Sequence, residues 1–296
     1  MKENLTLIDT TSLFYVVCST TMNKFEITDN FQEYKDRLHT YIDNILEETK
    51  ADKYILFGDG KSSFRKAKYP SVKSDRKFNY LKFKNDLIQH ALDSLDLFIS
   101  ESLESDDMCL IVNNELKSTY NVTIASIDSD LRQAEGIFYN YGWRRGLIAK
   151  YQSLSQVPEE VITETIEKSF EILSKDEADF NLWSQVLKAG HNNKKELGAF
   201  LKGCGESCAT NYLKTWLPSQ YKYAVLKAFI YGIDKNKDKG LRTIKGYGNI
   251  DGIDKFNTSF QLSYLLRNLK EVESLGIEFK IPELQTFTNK NDRNQF

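Results

Sequence analysis

Seven carboxylates carry the chemistry legible in this chain of 296 residues. Asp9 ends the apolar run 5–9, Asp59 follows the run 54–58, and Asp128 follows the run 122–127. Glu104, Asp106 and Asp107 form a tight group, and Asp130 lies two residues after Asp128. If the apolar runs are parallel strands, their C-terminal ends converge on one crevice, where ligands bind. Carboxylates gathered there cannot all stay ionised without cations, because like charges a few ångström apart raise one another's pKa. Oxygen-only donors suit Mg²⁺ or Mn²⁺, and such a cradle serves metal-assisted phosphodiester chemistry. Singly, each acid is also an ordinary cap or turn residue. Asp106 would cap a helix running from Asp107 to Leu116, and Asp128 with Asp130 would form a turn. Their joint placement on successive strand ends sets them apart.

Two further features accompany the acids. Residues 61–84 hold nine Lys and Arg (Lys61, Arg65, Lys66, Lys68, Lys73, Arg76, Lys77, Lys82, Lys84) against the single acid Asp75, with Phe64, Tyr69 and Phe78 interleaved. Such a run either forms a solvated basic loop or grips phosphates and stacks bases. Its position directly after Asp59 favours the second. Residues 203–209, Gly-Cys-Gly-Glu-Ser-Cys-Ala, place two glycines before a helix, with another helix ahead of them. Gly203, Gly205 and Ser207 would then let backbone N–H groups approach a nucleic-acid phosphate, although a plain interhelical turn has the same pattern.

Strands are expected at 5–9, 54–58, 95–100 and 122–127, with helices at 31–49, 81–93 and 106–117 between them. Alternating strands and helices imply α/β architecture, with a parallel sheet covered on both faces. Beyond 150 the pattern turns helical: Pro158 opens a helix with Val161, Ile162, Ile166, Phe170 and Leu173 on its apolar face. Others cover 179–188, start near Ser207, and include Leu262 to Leu269, ended by Gly276. The Lys-, Gly- and Asp-rich stretch 234–258 reads as an exposed loop. Two domains follow, an α/β core over 1–150 and a helical region over 151–296.

Composition bounds the reading. With 40 Lys and Arg against 42 Asp and Glu, the formal net charge is −2, which excludes a uniformly basic coat but not a local basic patch. Only three histidines are present (His39, His90, His191), against a His-rich metal site. The four cysteines form no CxxC pair, which argues against a zinc ribbon. With no secretory pattern at the start, a cytoplasmic location and free thiols are expected. No apolar run approaches the ~18 residues of a membrane span.

Together these features resemble the 5′-nuclease (flap endonuclease) superfamily, most closely the bacteriophage 5′→3′ exonucleases and the 5′-nuclease domain of bacterial DNA polymerase I. Leu7-Ile8-Asp9-Thr-Thr-Ser-Leu-Phe-Tyr15 is similar to the first strand motif. Residues 57–65 with 69–76 resemble the second acid and a basic gateway before a helical arch. Glu104-Ser-Asp-Asp107 matches the E-x-D-D motif, residues 125–131 the S-x-D-x-D motif, and 203–209 the helix-hairpin-helix. The resemblance covers roughly 4–216 and implies a PIN-like α/β core with a helical arch. It also implies that Asp9, Asp59, Glu104, Asp106, Asp107, Asp128 and Asp130 hold Mg²⁺ or Mn²⁺, directly or through waters. Lys73 and Arg76 would contact the scissile phosphate; Lys61, Arg65 and Lys66 would grip the 5′ strand; the hairpin would hold the duplex. The implied partners are DNA with 5′ ends or flaps, an RNA–DNA hybrid as a further substrate, and replication proteins, with the chain acting as a monomer.

The chain departs from the family pattern in two places. Where a G-D-x-x-D motif supplies two more acids, this sequence has Ala189-Gly190-His191-Asn192-Asn193-Lys194-Lys195, and the tyrosine before the gateway lysine is Val72. These departures motivate a rival expectation, a structure-specific DNA-binding protein of the same fold with weak or no catalysis. A PIN-like ribonuclease is a third, which the basic gateway and hairpin disfavour.

Overall fold

The structure is a computed structural model that describes residues 2–18, 29–70, 83–151, 154–188, 197–198, 200–234 and 243–288. In chain order the elements are β1 (Asn4–Asp9), α1 (Thr10–Cys18), α2 (Phe31–Glu48), β2 (Lys53–Asp59), α3 (Phe64–Lys68), α4 (Lys84–Ser94), β3 (Phe98–Ser100), α5 (Ser105–Leu116), β4 (Asn121–Ala125) and β5 (Gly136–Tyr139). There follow α6 (Trp143–Tyr151), α7 (Glu159–Lys168), β6 (Phe170–Leu173), α8 (Lys175–Leu187), α9 (Glu206–Leu213), α10 (Tyr221–Tyr231), β7 (Gly232–Ile233), β8 (Ile244–Lys245), α11 (Asn249–Ser263), α12 (Leu269–Ser274) and β9 (Gln285–Thr286). The chain packs as two compact units: the first takes Met1–Ser62, Lys77–Ile172 and Leu266–Phe296, the second Ser63–Arg76 and Leu173–Leu265.

The first unit is built on a sheet of order β3-β2-β1-β4-β5-β6, with β9 beside β2. β1 pairs in parallel with β2 and β4, β2 with β3, and β4 with β5. The central strands are buried along nearly their whole length, as apolar parallel strands must be. Ile8 and Leu56 pack with α1, α2 and α4 in one core that includes Leu13, Phe14, Leu38, Ile45 and Leu87. α5 packs against β1, β2 and β4, burying Met108, Leu110, Ile111 and Val112. The register puts Asp9 beside Phe57 and Asp59 beside Ser100, so the strands end along one edge. Just past that edge Gly60 is obligatory, because a Cβ there would lie 2.2 Å from the Ser100 carbonyl oxygen.

The second unit is mainly helical. α8 opens on a capping box in which Ser174 and Glu177 satisfy each other's backbone donors. α8, α9, α10 and α11 enclose Leu182, Trp183, Val186, Tyr212, Ala228, Phe229 and Phe256. α10 and α11 approach closely at Gly252, where a Cβ would stand 2.9 Å from the Phe229 carbonyl oxygen. α3 belongs to this unit through Arg65, whose Nη2 donates to the Tyr264 carbonyl, and Tyr69, whose hydroxyl bonds Gln261.

Several expectations need correction. Compact packing divides the chain after Ile172, where β6 has joined the sheet, and residues 266–288 belong to the first unit. Phe170 and Leu173 lie in that strand and not on the apolar face of α7, which ends at Lys168. The third strand starts at Phe98, not 95. The stretch 234–258 is not wholly loop: it contains β8 and the first turns of α11, with Gly252 and Phe256 buried. No described helix is long and apolar enough to cross a membrane.

Candidate metal centre

The seven acids all lie in the first unit, at or just beyond the C-terminal edge of the sheet. Asp9 is the hub. It is 3% exposed at the end of β1, and three serine hydroxyls are aimed at its carboxylate. Ser105 Oγ donates to Oδ1 at 2.8 Å, Ser126 Oγ to Oδ2 at 2.8 Å, and Ser12 Oγ to Oδ2. Its backbone carbonyl accepts from the Tyr141 hydroxyl at 3.2 Å. Burial raises the Asp9 pKa above the ordinary carboxyl value; the serine bonds oppose this, and the Asp59 charge adds to it.

Ser105 ties the next acids in. Its amide donates to Asp59 Oδ1 at 2.8 Å while its hydroxyl serves Asp9. The Asp59 amide itself is held by Thr11 Oγ1 at 2.8 Å. Ser105 opens α5, flanked by Glu104 as N-cap and by Asp106 and Asp107 in the first turn, where the helix N-terminus favours negative charge. The cap is thus Glu104, not Asp106. Glu104, Asp106 and Asp107 present ligand atoms all within 4.8 Å of one another. Asp107 is fully buried, and its Oδ1 accepts the Leu266 amide at 2.9 Å.

Asp128 reaches Asp9 through Ser126, whose hydroxyl accepts the Asp128 amide at 2.9 Å. Asp128 also caps the 3₁₀ turn Ser129–Gln133, accepting the Asp130 amide at 2.9 Å. The structure therefore brings Asp9, Asp59, Glu104, Asp106 and Asp107 together around Ser105. It connects Asp128 and Asp130 one step further out, beyond the three-acid group. The serines were not anticipated as site residues, although each sits inside a motif quoted for its acids: Asp9-Thr-Thr-Ser12, Glu104-Ser-Asp-Asp107 and Ser126-Ile-Asp128.

The basic residues divide. Lys61 is exposed beyond β2, and Lys66 is half-buried on α3. Arg65, expected at a nucleic-acid strand, is instead 4% exposed, stacked at 4.5 Å on Phe64 and bonded to Tyr264. The guanidinium holds α3 to α11 within the second unit. Lys84 is also turned inward, over the Tyr15 ring at 4.3 Å. Lys73, Arg76, Val72 and His191 lie outside the described residues. Gly203 (φ 91°), Gly205 and Ser207 are exposed at the start of α9, with Glu206 in its first turn bonded to Lys188. The residues before this turn lie partly outside the described set, and α8 ends at Leu187.

An all-oxygen donor set, a buried carboxylate at its centre and hydroxyls that orient it fit a hard divalent cation. Comparison of the coordinates with solved structures then decides the architecture. A structure described as divalent metal ions (zinc) bound to T5 5′-exonuclease matches at a TM-score of 0.52 and 15% identity, covering 93% of this chain and 90% of that one. The chain has the PIN-like α/β fold of the T5 5′-exonuclease. T5 D15 protein co-crystallised with metal ions matches at a TM-score of 0.48 and 15% identity, covering 88% of this chain and 86% of that one. No family model matches the sequence, and no curated protein matches it. The likeness to the 5′-exonuclease is one of fold, and the expected parallel sheet with acids at its strand ends is the part of that fold the sequence displays.

Proposed function

We propose that this chain is a divalent-metal-dependent 5′-nuclease that hydrolyses phosphodiesters at 5′ ends or flaps of DNA. The observation that supports it most is the convergence of Asp9, Asp59 and the Glu104–Asp107 group on Ser105, on the 5′-exonuclease fold. Glu104, Asp106 and Asp107 would hold one cation, Mg²⁺ or Mn²⁺, with Asp9 and Asp59 beside them. Asp128 and Asp130 would serve a second. When bound, such cations polarise a phosphodiester and make water a stronger nucleophile. The chain's own part is to fix the donors. Ser12, Ser105 and Ser126 orient the Asp9 carboxyl and oppose the rise that burial imposes on its pKa, and α5 presents three acids from one turn.

Lys73 and Arg76 would stabilise charge on the scissile phosphate, and Lys61 and Lys66 would attract the 5′ strand. Gly203, Gly205 and Ser207 would take a duplex phosphate at the exposed turn before α9. The soluble setting would be the cytoplasm, with replication proteins and RNA–DNA hybrids as further partners. The rival reading, a DNA-binding protein of the same fold with weak or no catalysis, rests on the missing G-D-x-x-D acids.

One experiment separates the two. Pure protein is given a 5′-flapped DNA duplex with Mn²⁺ or Mg²⁺, alongside Asp106→Ala. The proposal predicts cation-dependent cleavage that falls at least about 100-fold in the variant, since metal charge stabilisation is worth several kcal/mol and each 1.36 kcal/mol is about tenfold. Flap binding without cleavage in the unaltered protein would establish the rival. Cleavage unchanged in Asp106→Ala would refute the metal centre.

A further inference from the structure

Two of the three histidines in the chain face each other on helices that carry none of the seven acids. His39 lies on α2 and His90 on α4, and their Nε2 atoms are 3.0 Å apart, with ring centroids at 5.3 Å. The helices that carry them are packed together and fixed by an aromatic cluster: the Phe83 ring, at the start of α4, sits 5.2 Å from Tyr34 and 5.4 Å from Phe31 of α2. Leu38 and Leu87, one residue before His39 and three before His90, are buried in the same core. The imidazoles are therefore held in place by rigid elements, while His39 stays exposed and His90 half-exposed.

The spacing is close to that of two ligands on one ion. Two nitrogens about 2.0–2.1 Å from a tetrahedral Zn²⁺ are about 3.3 Å apart, a few tenths of an ångström more than observed. Without a cation, one Nε2–H donates to the other ring's lone pair. Binding needs both Nε2 lone pairs, so the donor ring moves its proton to Nδ1 with no net proton change. Asp36 and Asp43 lie one helical turn either side of His39, and Asp86 and Asp93 one turn either side of His90. Lys35 is the cation nearest in influence: burial, then His39, then Lys35 lower the His90 pKa, against Asp93, so this ring is neutral at pH 7. Among the described residues no third Asp, Glu, Cys or His joins the pair in a three-ligand group, so water would complete the shell of an ion held there.

We propose that His39 and His90 form a second cation site, for one Zn²⁺-class ion that clips α2 to α4, separate in place and ligand type from the carboxylate centre. Imidazole nitrogen selects zinc, nickel or copper over Mg²⁺, which demands oxygen. The site does not depend on the nuclease reading.

The test uses full-length protein with ¹³C-labelled histidine, in excess Mg²⁺ to occupy oxygen sites. Three histidine ring signals are expected. One equivalent of ZnCl₂ should shift two of them and leave the third, from His191, in place. His39→Gln keeps a hydrogen-bonding partner for His90 but offers zinc only a weak ligand. It should lower Zn²⁺ affinity at least tenfold by calorimetry, as should His90→Ala, whereas Asp106→Ala should leave the shifts intact. Unmoved signals for His39 and His90, equal Zn²⁺ affinity in His39→Gln, or loss of the shifts in Asp106→Ala would each overturn the site.

Discussion

Ser105 stands at the meeting of two carboxylates, giving its hydroxyl to Asp9 and its amide to Asp59. Ser105→Ala keeps the amide bond and removes the hydroxyl, leaving a buried carboxylate with one donor fewer. Outer partners that orient metal ligands are worth about 10–100-fold in affinity, so Mn²⁺ binding measured by calorimetry should weaken within that range. An unchanged affinity would mean that Asp9 is positioned without it. Asp9, Asp59 and Asp128 stand out in the sequence because each follows an apolar run, and Glu104, Asp106 and Asp107 because they crowd into four residues. The serines do not, since a hydroxyl beside an acid is common and only the folded register shows which ones point inward. The burial of Arg65 is hidden for a related reason: a basic run gives no sign of which member packs its guanidinium against a distant helix. The thiols give a second residue-scale prediction. Cys18, Cys109 and Cys204 are buried and Cys208 half-exposed, and burial pushes the Cys18 thiol up to about 12. Because the thiolate is the reactive form, a disulfide reagent at mild pH should label Cys208 rapidly and the other three only on unfolding. Fast labelling of two or more would contradict this burial.

At the scale of elements, β1, β2 and β4 were readable as apolar runs, and α2 and α5 as periodic ones. β5 and β6 are four residues each, too short to outweigh neighbouring helical periodicity, so Phe170 and Leu173 were absorbed into the preceding helix. The Gly- and Lys-rich composition of 234–258 hid α11, whose Gly252 is there for close packing and not for a turn. Gly60→Ala tests the edge that sets Asp59. Its Cβ would collide with the Ser100 carbonyl, so stability should fall by about 1–3 kcal/mol, as overpacking does, and Mn²⁺ affinity should fall with it. Wild-type-like unfolding midpoints and affinity would show that the loop yields freely.

Glu48 of α2 gives the pH dependence of the same unit. It is bonded by Arg144 and the Tyr139 hydroxyl, yet burial outweighs both and raises its carboxyl above the ordinary 4.5. A raised folded pKa means the native state holds the proton more tightly, so this contribution is full below the unfolded value and is lost as pH rises through the folded one. Glu48→Gln cannot titrate. Urea melts from about pH 4 to pH 7 should therefore show the stability of wild type minus that of the variant falling as pH rises. A difference that increases with pH would reverse the assignment.

At the scale of the whole molecule there are two separate cores: all seven acids belong to the sheet unit, and the turn 203–207 to the helical one. A cation bound only by the native acids stabilises by about 2.7 kcal/mol at a hundred times its Kd. Hydrogen exchange with Mn²⁺ should protect β1, β2 and the start of α5 most. If acids from distant parts of the chain serve one cation centre, a Mn²⁺ titration followed by electron paramagnetic resonance will show it. Asp9→Asn and Asp106→Asn are compared with the unaltered chain. Both variants should lose affinity at least about tenfold for the same ion. If Asp9→Asn binds Mn²⁺ as the unaltered chain does while Asp106→Asn does not, the acids do not share a centre and the account fails.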